Sequence, residues 1–133
     1  MEDCIFCMIA AGDIPSKKVY EDENCIATLD IGPAAEGHVL VIPREHHQDI
    51  TDVDAELLGK LFAAAKEIGI RQKARLGAAG FNVVQNNGAA AGQTVPHFHI
   101  HVIPRYENGE QIVSWIPGNP SGEELDRICE ILK

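Results

Sequence analysis

The sequence predicts an α+β fold: an antiparallel sheet of about five strands with one long helix and a C-terminal helix. Short apolar runs of strand length recur along the chain, and hairpin-like links between neighbouring runs favour antiparallel pairing. One long segment instead repeats its apolar residues at helical spacing. With 133 residues, the chain has the common size of one domain, so we expect residues 1–133 to fold as a single unit.

The first half of the chain is predicted to hold a short helix and three strands. The helix covers residues 4–11 and ends at Gly12. Two strands, over residues 17–21 and 24–30, flank a tight acidic turn, and the second alternates its side chains with the period of a strand. Residues 38–43 form a compact apolar run that ends at a proline, which is typical of a buried strand.

The second half is organised around the long helix. This helix is predicted to run from Asp54 to Leu76, with Asp52 or Asp54 as its N-cap and Gly77 as its C-cap. Two strands follow, over residues 81–86 and 97–105, and a last helix opens with a capping box over residues 121–124 and carries the apolar stripe Leu125, Ile128 and Leu132.

The composition excludes several classes of protein. A formal charge of −9, from 11 basic and 20 acidic residues, argues against general nucleic-acid binding, which needs a positive surface. A small anionic ligand is still compatible with this charge, because backbone N–H groups and imidazoles can hold it. No apolar run approaches the roughly 20 residues of a membrane-spanning helix, and the acidic start Met1-Glu2-Asp3 is unlike a secretory signal. We therefore expect a cytoplasmic protein that does not bind membranes.

The segment from His97 to Ile103 carries the chemistry. In a strand, His97, His99 and His101 share one face at intervals of roughly 6.6 Å, while the apolar residues between them point into the core. Imidazoles in a row suit nucleophilic attack, hydrogen bonding to phosphate, or metal binding. One zinc site made by all three is a rival interpretation, but the first and third would lie roughly 13 Å apart along the strand. The spacing therefore favours different roles for the three histidines over a single shared metal site.

A loop of small residues precedes this strand. Residues 86–94 include the run Gly88-Ala-Ala-Ala-Gly92, whose backbone N–H groups can approach an anion closely. Such loops are common and carry little information alone. Directly before a histidine strand, the loop predicts a phosphate cradle.

Several segments of the chain resemble a known family. Residues 92–105, from Gly-Gln-Thr-Val-Pro-His to Ile-Pro-Arg, resemble the signature of the histidine triad (HIT) family of nucleotide hydrolases, and residues 29–33 and 37–46 resemble its second shared segment. With the N-terminal cysteine pair, the resemblance covers most of the chain up to Arg105. It implies a HIT-like fold over residues 1–133 and a homodimer in which two sheets join across a central helix and strand.

The resemblance also implies a role for each matching position. His99 would be the nucleophile that forms a nucleotidyl-imidazole intermediate, and no cofactor is needed for that chemistry. A histidine of ordinary pKa, about 6.5, is largely neutral at pH 7 and can attack without first losing a proton. The implied substrate-binding residues hold the phosphate, assist the leaving group, or contact the ribose and base of a purine nucleotide: His101, Asn86, Gly92, Gln93, Thr94, Asp30 and Ile31.

Cys4 and Cys7 form a C-x-x-C pair, which on its own allows a redox site, half of a zinc site, or coincidence. The redox interpretation lacks a supporting βαβ context. HIT-like proteins with this pair resemble zinc binders, which implies His46 and His97 as the further ligands of a structural zinc site. Of the remaining candidates, we expect His47 in solvent, His38 packed at a strand start, and Cys25 and Cys129 buried.

These features together predict a hydrolase of nucleoside phosphoramidates such as adenosine 5'-phosphoramidate. Asn86 and Thr94 resemble that branch of the family, whereas Pro104-Arg105 resembles the branch that hydrolyses dinucleoside polyphosphates. A non-catalytic purine-nucleotide-binding module and a zinc-dependent hydrolase are the further hypotheses. Residues 106–120, including Trp115, are expected to reach the active site of the partner subunit, as tails do in some relatives.

Overall fold

The computed structural model describes residues 3–133, and its architecture is the predicted α+β fold. Met1 and Glu2, part of the acidic start of the sequence, lie outside the described residues. Single 3₁₀ turns precede α2 (Ile50–Asp52) and β5 (Ala89–Ala91). The regular elements, in chain order, are α1 (Ile5–Ala11), β1 (Lys18–Glu21), β2 (Cys25–Leu29), β3 (Val39–Pro43), α2 (Ala55–Leu76), β4 (Gly80–Val84), β5 (Ile100–Arg105) and α3 (Gly122–Leu132).

The five strands form one antiparallel sheet in the order β1-β2-β3-β5-β4. In the middle of the sheet, Leu40 of β3 is paired with His101 of β5. On the other side of β5, Val84 of β4 is paired with the same histidine, and β4 ends there rather than at Asn86 as predicted. The histidine strand is therefore held between two neighbours, and the start of β3 lies beside it.

Helix α2 covers one face of the sheet. Its residues Leu61 and Ile68 share a core with Phe98, Ile100 and Val102, and all five side chains are at most 2% exposed. Full burial of each such side chain stabilises the fold by about 1.5–3 kcal/mol. Because the residues between the histidines point into this core, the imidazoles face the opposite side of the sheet.

The other face is covered by α1. Phe6 of this helix packs with Ile26, Leu40 and Ile42, which project from β2 and β3. Strands β2 and β3 are therefore buried on both faces, as their near-continuous apolar sequences require. The N-terminal cysteine pair and the histidines share this side of the sheet.

The ends of α2 follow the predicted capping pattern. The carboxylate of Asp54 accepts a hydrogen bond from the Leu57 N–H at 2.8 Å, which identifies Asp54 as the N-cap. Asp52 lies in the preceding 3₁₀ turn instead. At the other end, Gly77 has a φ of 71°, the left-handed conformation that ends a helix at little cost for glycine.

The histidine strand is shorter than predicted. Strand β5 begins at Ile100, not at His97. The reason lies in the backbone hydrogen bonds, since the N–H of His97 donates to the Val95 carbonyl and the N–H of Phe98 donates to the His47 carbonyl. The first part of the histidine segment is therefore bound to loops, although its side chains alternate as a strand's would.

The C-terminal helix forms where predicted, but it does not join the core. The Ser121 hydroxyl accepts from the Glu124 N–H at 3.2 Å, as the capping box requires. Every residue from 107 to 133 is exposed. The prediction that Cys129 is buried is therefore wrong, because α3 stands clear of the two cores.

Among residues 3–133, no helix combines the length and the apolar character that crossing a bilayer requires.

Candidate active site

His99 and His101 lie together at the floor of a cavity beside α1. Their ring centroids are 5.0 Å apart, and the ring of Phe6 contacts His99 edge-on at 4.9 Å. The cavity has a volume of about 490 Å³, within the range of small-molecule sites. Its lining includes the polar residues Asp30 and Thr94 and the apolar residues Ile5, Ile9, Ile14 and the exposed Ile31.

One hydrogen bond sets the orientation of the His99 ring. Its Nδ1 lies 2.8 Å from the carbonyl oxygen of His97. A carbonyl can only accept, so Nδ1 carries the hydrogen and Nε2 carries the lone pair. Within the described chain, Nε2 has no hydrogen-bonding partner. Burial lowers the pKa of His99 below its usual value, which keeps the ring neutral at pH 7.

His38, directly before β3, determines in the same way which ring nitrogen of His101 carries the hydrogen. The Ala34 N–H donates to His38 Nδ1 at 3.0 Å, so Nε2 of the neutral His38 ring carries the hydrogen. That nitrogen lies 2.9 Å from Nδ1 of His101 and donates to it. His101 must then carry its own hydrogen on Nε2. Burial lowers the pKa of both rings, that of His101 to about 4 with help from the neighbouring imidazoles, so both are neutral.

Asp30, His38 and His101 present ligand-type atoms within 4.8 Å of one another. A metal at this position would need the lone pair of His38 on Nε2. The Ala34 N–H occupies the lone pair of Nδ1 and requires the hydrogen on Nε2. The group therefore fits a hydrogen-bonded chain better than a metal site. Asp30, which lines the cavity, also accepts from the Gly32 N–H at 2.8 Å, and this bond fixes the position of its carboxylate.

The small-residue loop is held in place by hydrogen bonds of the Gln93 side chain. Gln93 accepts from the Gly88 N–H at 2.8 Å, and its amide donates to the carbonyls of Gln48 and Val95. Its side chain thus binds the loop rather than lining the cavity. Thr94 lines the cavity, whereas Asn86 lies beside Gly92 outside the lining residues.

A second cluster joins α1 to the sheet behind His99. The structure brings together Cys4 and Cys7 with His46 and His97, and the four ligand atoms lie within 4.8 Å of one another. Cys4 Sγ is 3.2 Å from Nδ1 of His97, Cys7 Sγ is 3.3 Å from Nδ1 of His46, and the two Nδ1 atoms are 3.2 Å apart. Zinc bonds of about 2.0–2.3 Å at tetrahedral angles place ligand atoms about 3.3–3.8 Å apart, so the spacing fits a metal ion.

The hydrogen bond between His97 and the Pro43 carbonyl also supports metal binding by this cluster. Its Nε2 lies 2.9 Å from the Pro43 carbonyl and must donate to it, which leaves the lone pair of Nδ1 directed at the two sulfurs. An imidazole that ligates through one nitrogen and donates from the other is the usual arrangement in metal sites. The cluster could therefore hold a metal ion.

Two histidines differ from their sequence-based interpretation. His38 lies at a strand start as predicted, but its contact with His101 places it in the site, and the 63 intervening residues hide this pairing from any local motif. His47 was expected in solvent, yet its side chain is only 13% exposed. That expectation is wrong because the turn containing Asp52 folds over the ring, and the Asp52 carbonyl accepts from Nδ1 at 3.0 Å.

The five-stranded sheet, the histidine-lined cavity and the adjoining cysteine–histidine cluster define a small α+β domain built around a row of imidazoles. The model of the HIT domain family matches residues 11–108 of the chain. The chain therefore belongs to the histidine triad family.

Known proteins resemble the chain over most of its length. An uncharacterized HIT-like protein of Methanocaldococcus jannaschii is 42% identical over 131 residues, covering 98% of each chain. The adenylylsulfatase HINT3 of Arabidopsis thaliana is 39% identical over 105 residues, covering 79% of this chain and 53% of its own.

Solved structures agree with the fold. The crystal structure of a Streptococcus mutans protein, SMU.412c, superposes with a TM-score of 0.94 at 41% identity and covers 99% of this chain and 84% of that one. A zinc-bound histidine triad protein from Mycobacterium smegmatis superposes with a TM-score of 0.79 at 40% identity, covering 98% of this chain and 92% of that one.

Proposed function

We propose that this HIT-family chain is a hydrolase that breaks the bond between the α-phosphate of a purine nucleotide and its leaving group. Nucleoside phosphoramidates such as adenosine 5'-phosphoramidate are the proposed substrates, and His99 is the proposed nucleophile. The observation that carries the proposal is the fixed ring of His99, whose Nε2 lone pair is directed away from the His97 carbonyl and whose centroid lies 5.0 Å from that of the His101 ring, which carries its hydrogen on Nε2. A nucleophile next to a hydrogen-bond donor is what attack on a phosphate requires.

The cavity supports a particular placement of the nucleotide. The apolar side chains of α1, Ile5 and Ile9, suit a purine ring, and Ile31 lines the same cavity. The carboxylate of Asp30 can accept from ribose hydroxyls. The Nε2–H of His101 and the backbone N–H of Thr94 suit the phosphate oxygens, whereas the N–H groups of Gly92 and Gln93 donate to the Ala89 and Gly88 carbonyls within the loop. We propose Asn86, Gly92 and Gln93 as further members of that loop.

The reaction proceeds in two displacements. Nε2 of His99 bonds to the α-phosphorus as the phosphorus–nitrogen bond to the leaving amine breaks, and the amine takes up a proton through the Thr94 hydroxyl or solvent. The ring becomes positively charged, and its Nδ1–H donates to the His97 carbonyl, which stabilises that charge. Water then attacks phosphorus, the bond to Nε2 breaks, and the proton lost by water replaces the one taken by the amine.

We also propose that Cys4, Cys7, His46 and His97 hold a structural zinc ion. The donor set of two sulfurs and two imidazole nitrogens is typical of closed zinc sites. The zinc-bound relative from Mycobacterium smegmatis supports the metal. The ion would tie α1 to the sheet and so hold the apolar side chains of this helix in place at the cavity, and no reaction step passes through it.

A relative named as an adenylylsulfatase supports a leaving group on the α-phosphate of an adenine nucleotide. The dinucleoside polyphosphate hypothesis rested in part on Arg105. That residue pairs with Gly80 at the far end of β5 and does not line the histidine cavity. The phosphoramidate hypothesis is therefore the better supported of the two.

The proposal is tested by initial rates on adenosine 5'-phosphoramidate and diadenosine triphosphate. We expect faster cleavage of the phosphoramidate by the wild type and none by His99→Asn, with equal zinc content and equal melting temperature for the two proteins. Nucleotide binding without cleavage by the wild type would support a non-catalytic module and contradict the proposal. Faster cleavage of the triphosphate would assign the chain to the polyphosphate hydrolases.

A further inference from the structure

One polar side chain, that of Gln72, is buried on the core face of α2. The other buried residues of this helix are small or apolar: Leu61, Ala64, Ala65, Ile68 and Gly69. Gln72 is only 3% exposed, and its Oε1 is buried and has no hydrogen-bonding partner within the described chain. A buried acceptor without a partner lowers the stability of a fold. Packing therefore does not explain why an amide stands at this position.

The amide nitrogen of Gln72 bridges two backbone carbonyls next to the candidate site. Nε2 donates to the Gly37 carbonyl at 3.0 Å and to the Val102 carbonyl at 2.9 Å. An amide nitrogen carries two hydrogens, so one can serve each carbonyl. Gly37 directly precedes His38, and Val102 directly follows His101. Gln72 therefore connects the backbone beside the two histidines whose rings are in contact.

This bridge lies at the end of the ladder between β3 and β5. The last pair of the ladder on this side is Val39 with Val102, and His38 lies one residue beyond it, outside β3. The carbonyl of Gly37 and the N–H of His38 belong to the same planar peptide. The hydrogen bond from Gln72 therefore limits the rotation of the peptide that leads into His38.

A second side chain of α2 closes over the same turn. Gly37 has a φ of 93°, which favours glycine, and a Cβ added there would clash with the side chain of Leu76. Leu76 lies about one helical turn after Gln72. The turn that presents His38 is therefore held by α2, from the side of the sheet opposite to the imidazoles.

We propose that Gln72 is a positioning residue for the candidate active site and acts through the backbone rather than by contact with the substrate. Its two hydrogen bonds hold His38 and His101 close enough for the Nε2–H of His38 to donate to Nδ1 of His101. That contact keeps the hydrogen of His101 on Nε2. The inference rests on the proposed function for the catalytic use of this hydrogen, but its position can be measured without substrate.

The hydrogen of His101 is located by long-range nitrogen–proton correlation spectra of histidine-labelled protein at pH 7. Its signals are assigned by their loss in His101→Asn. We expect the wild-type ring to carry the hydrogen on Nε2. In Gln72→Met, which keeps the side-chain length but has no donor, we expect a mixture of the Nε2–H and Nδ1–H forms. An unchanged spectrum in Gln72→Met overturns the proposal, whether or not the protein is an enzyme.

A matched control separates positioning from a loss of core packing. Ile68 lies one turn before Gln72 in the same core but bonds to neither carbonyl, so Ile68→Val should lower the melting temperature and leave the His101 spectrum unchanged. Gln72→Asn is the second variant if the methionine variant does not fold. Its amide is one methylene shorter and cannot bridge both carbonyls, so it should give the same mixture. An equal change of the spectrum in Ile68→Val overturns the proposal.

Initial rates on adenosine 5'-phosphoramidate complete the test as a double-mutant cycle with His38→Leu. We expect Gln72→Met alone to lower kcat about tenfold with little change in KM, as is usual when an orienting group is lost. In the His38→Leu background the same change should lower kcat by less than about twofold, because the contact that Gln72 supports is already absent. An equal loss in both backgrounds overturns the proposal. A wild type that binds the substrate without cleaving it contradicts the proposed function alone, and the spectra then decide the role of Gln72.

Discussion

Nε2 of His38 lies 2.9 Å from Nδ1 of His101, and this contact determines which hydrogen His101 presents to the cavity. The chain of donors begins at the Ala34 N–H, passes through the His38 ring and ends at Nε2–H of His101. His99 carries the opposite arrangement, with its hydrogen on Nδ1 and its lone pair on Nε2. Two neighbouring imidazoles therefore offer the cavity one acceptor and one donor, which are the two functions that phosphate attack needs.

Replacing His38 tests this division of roles. His38→Leu keeps the volume but removes the donor to His101, so His101 is free to place its hydrogen on Nδ1. We expect kcat to fall about 10- to 100-fold, as is usual when an orienting partner is lost, while KM changes little. His38→Gln is the matched variant, because its amide can donate to His101, and it should recover part of kcat. Equal kcat values for the Leu and Gln variants would show that His38 only fills space.

The cysteine pair makes a separate prediction about metal and stability. Cys4→Ser with Cys7→Ser removes both sulfurs, so we expect the zinc content to fall from one ion per chain to near zero and the melting temperature to drop. Cys129→Ser is the control, since that thiol is exposed and is not a member of the cluster. Atomic absorption and calorimetry measure the two effects.

The same variants distinguish a structural metal from a catalytic one. Below the melting temperature, the double serine variant should retain cleavage per folded molecule, because His99 rather than the metal attacks phosphorus. Loss of all activity with the fold intact by circular dichroism would favour the zinc-dependent hydrolase instead.

The low pKa of His101 links stability to pH. Burial and the adjoining imidazoles of His99 and His38 lower this pKa to about 4, whereas an unfolded histidine titrates near 6.5. Between these values the unfolded chain binds more protons than the folded one, so the free energy of unfolding is full above about pH 6.5 and decreases as the pH falls toward 4. Urea unfolding at pH 7, 6 and 5 should show a smaller loss for His101→Asn than for the wild type. Parallel losses in the two proteins would show that His101 contributes nothing to the pH dependence.

Two glycines of α2 provide a packing test, because alanine at one should lower the free energy of unfolding and alanine at the other should raise it. A Cβ added at Gly69 would clash with ring atoms of Phe81, whereas one added at Gly59 meets nothing within 4 Å. Gly69→Ala should therefore destabilise the protein by about 1–3 kcal/mol through overpacking. Gly59→Ala should stabilise it by about 0.5–1 kcal/mol through helix propensity. Chemical denaturation measures both, and a neutral Gly69→Ala would mean that Phe81 moves without cost.

Local patterns were sufficient for most elements of the fold. The spacing of apolar residues predicted α2, and the caps at Asp54 and Gly77 placed its ends, because these signals lie within a few residues of the feature they describe. The alternation around Ile100 likewise predicted which side chains face the core. The start of β5 was missed because the hydrogen bonds of Phe98 go to His47, a partner far away in sequence.

In the candidate site, too, the local features could be predicted from the sequence and the long-range contacts could not. The row of histidines and the cysteine pair are visible in the sequence, but the contact that orients His101 comes from His38 on another strand, and no spacing rule reports it. The exposure of Cys129 was missed for a related reason. The stripe of α3 has the pattern of a core helix, and periodicity shows that a face is apolar without showing which chain covers it.

The central claim is that Nε2 of His99 bonds to the α-phosphorus. The most direct measurement is intact-protein mass spectrometry after rapid alkaline quenching of the wild type and His99→Asn with adenosine 5'-phosphoramidate, followed by peptide mapping. We predict an adenylyl adduct on the wild type that maps to the peptide containing His99, grows and decays with turnover, and is absent from the variant. An adduct on another residue, or turnover by His99→Asn at the wild-type rate, would contradict the claim.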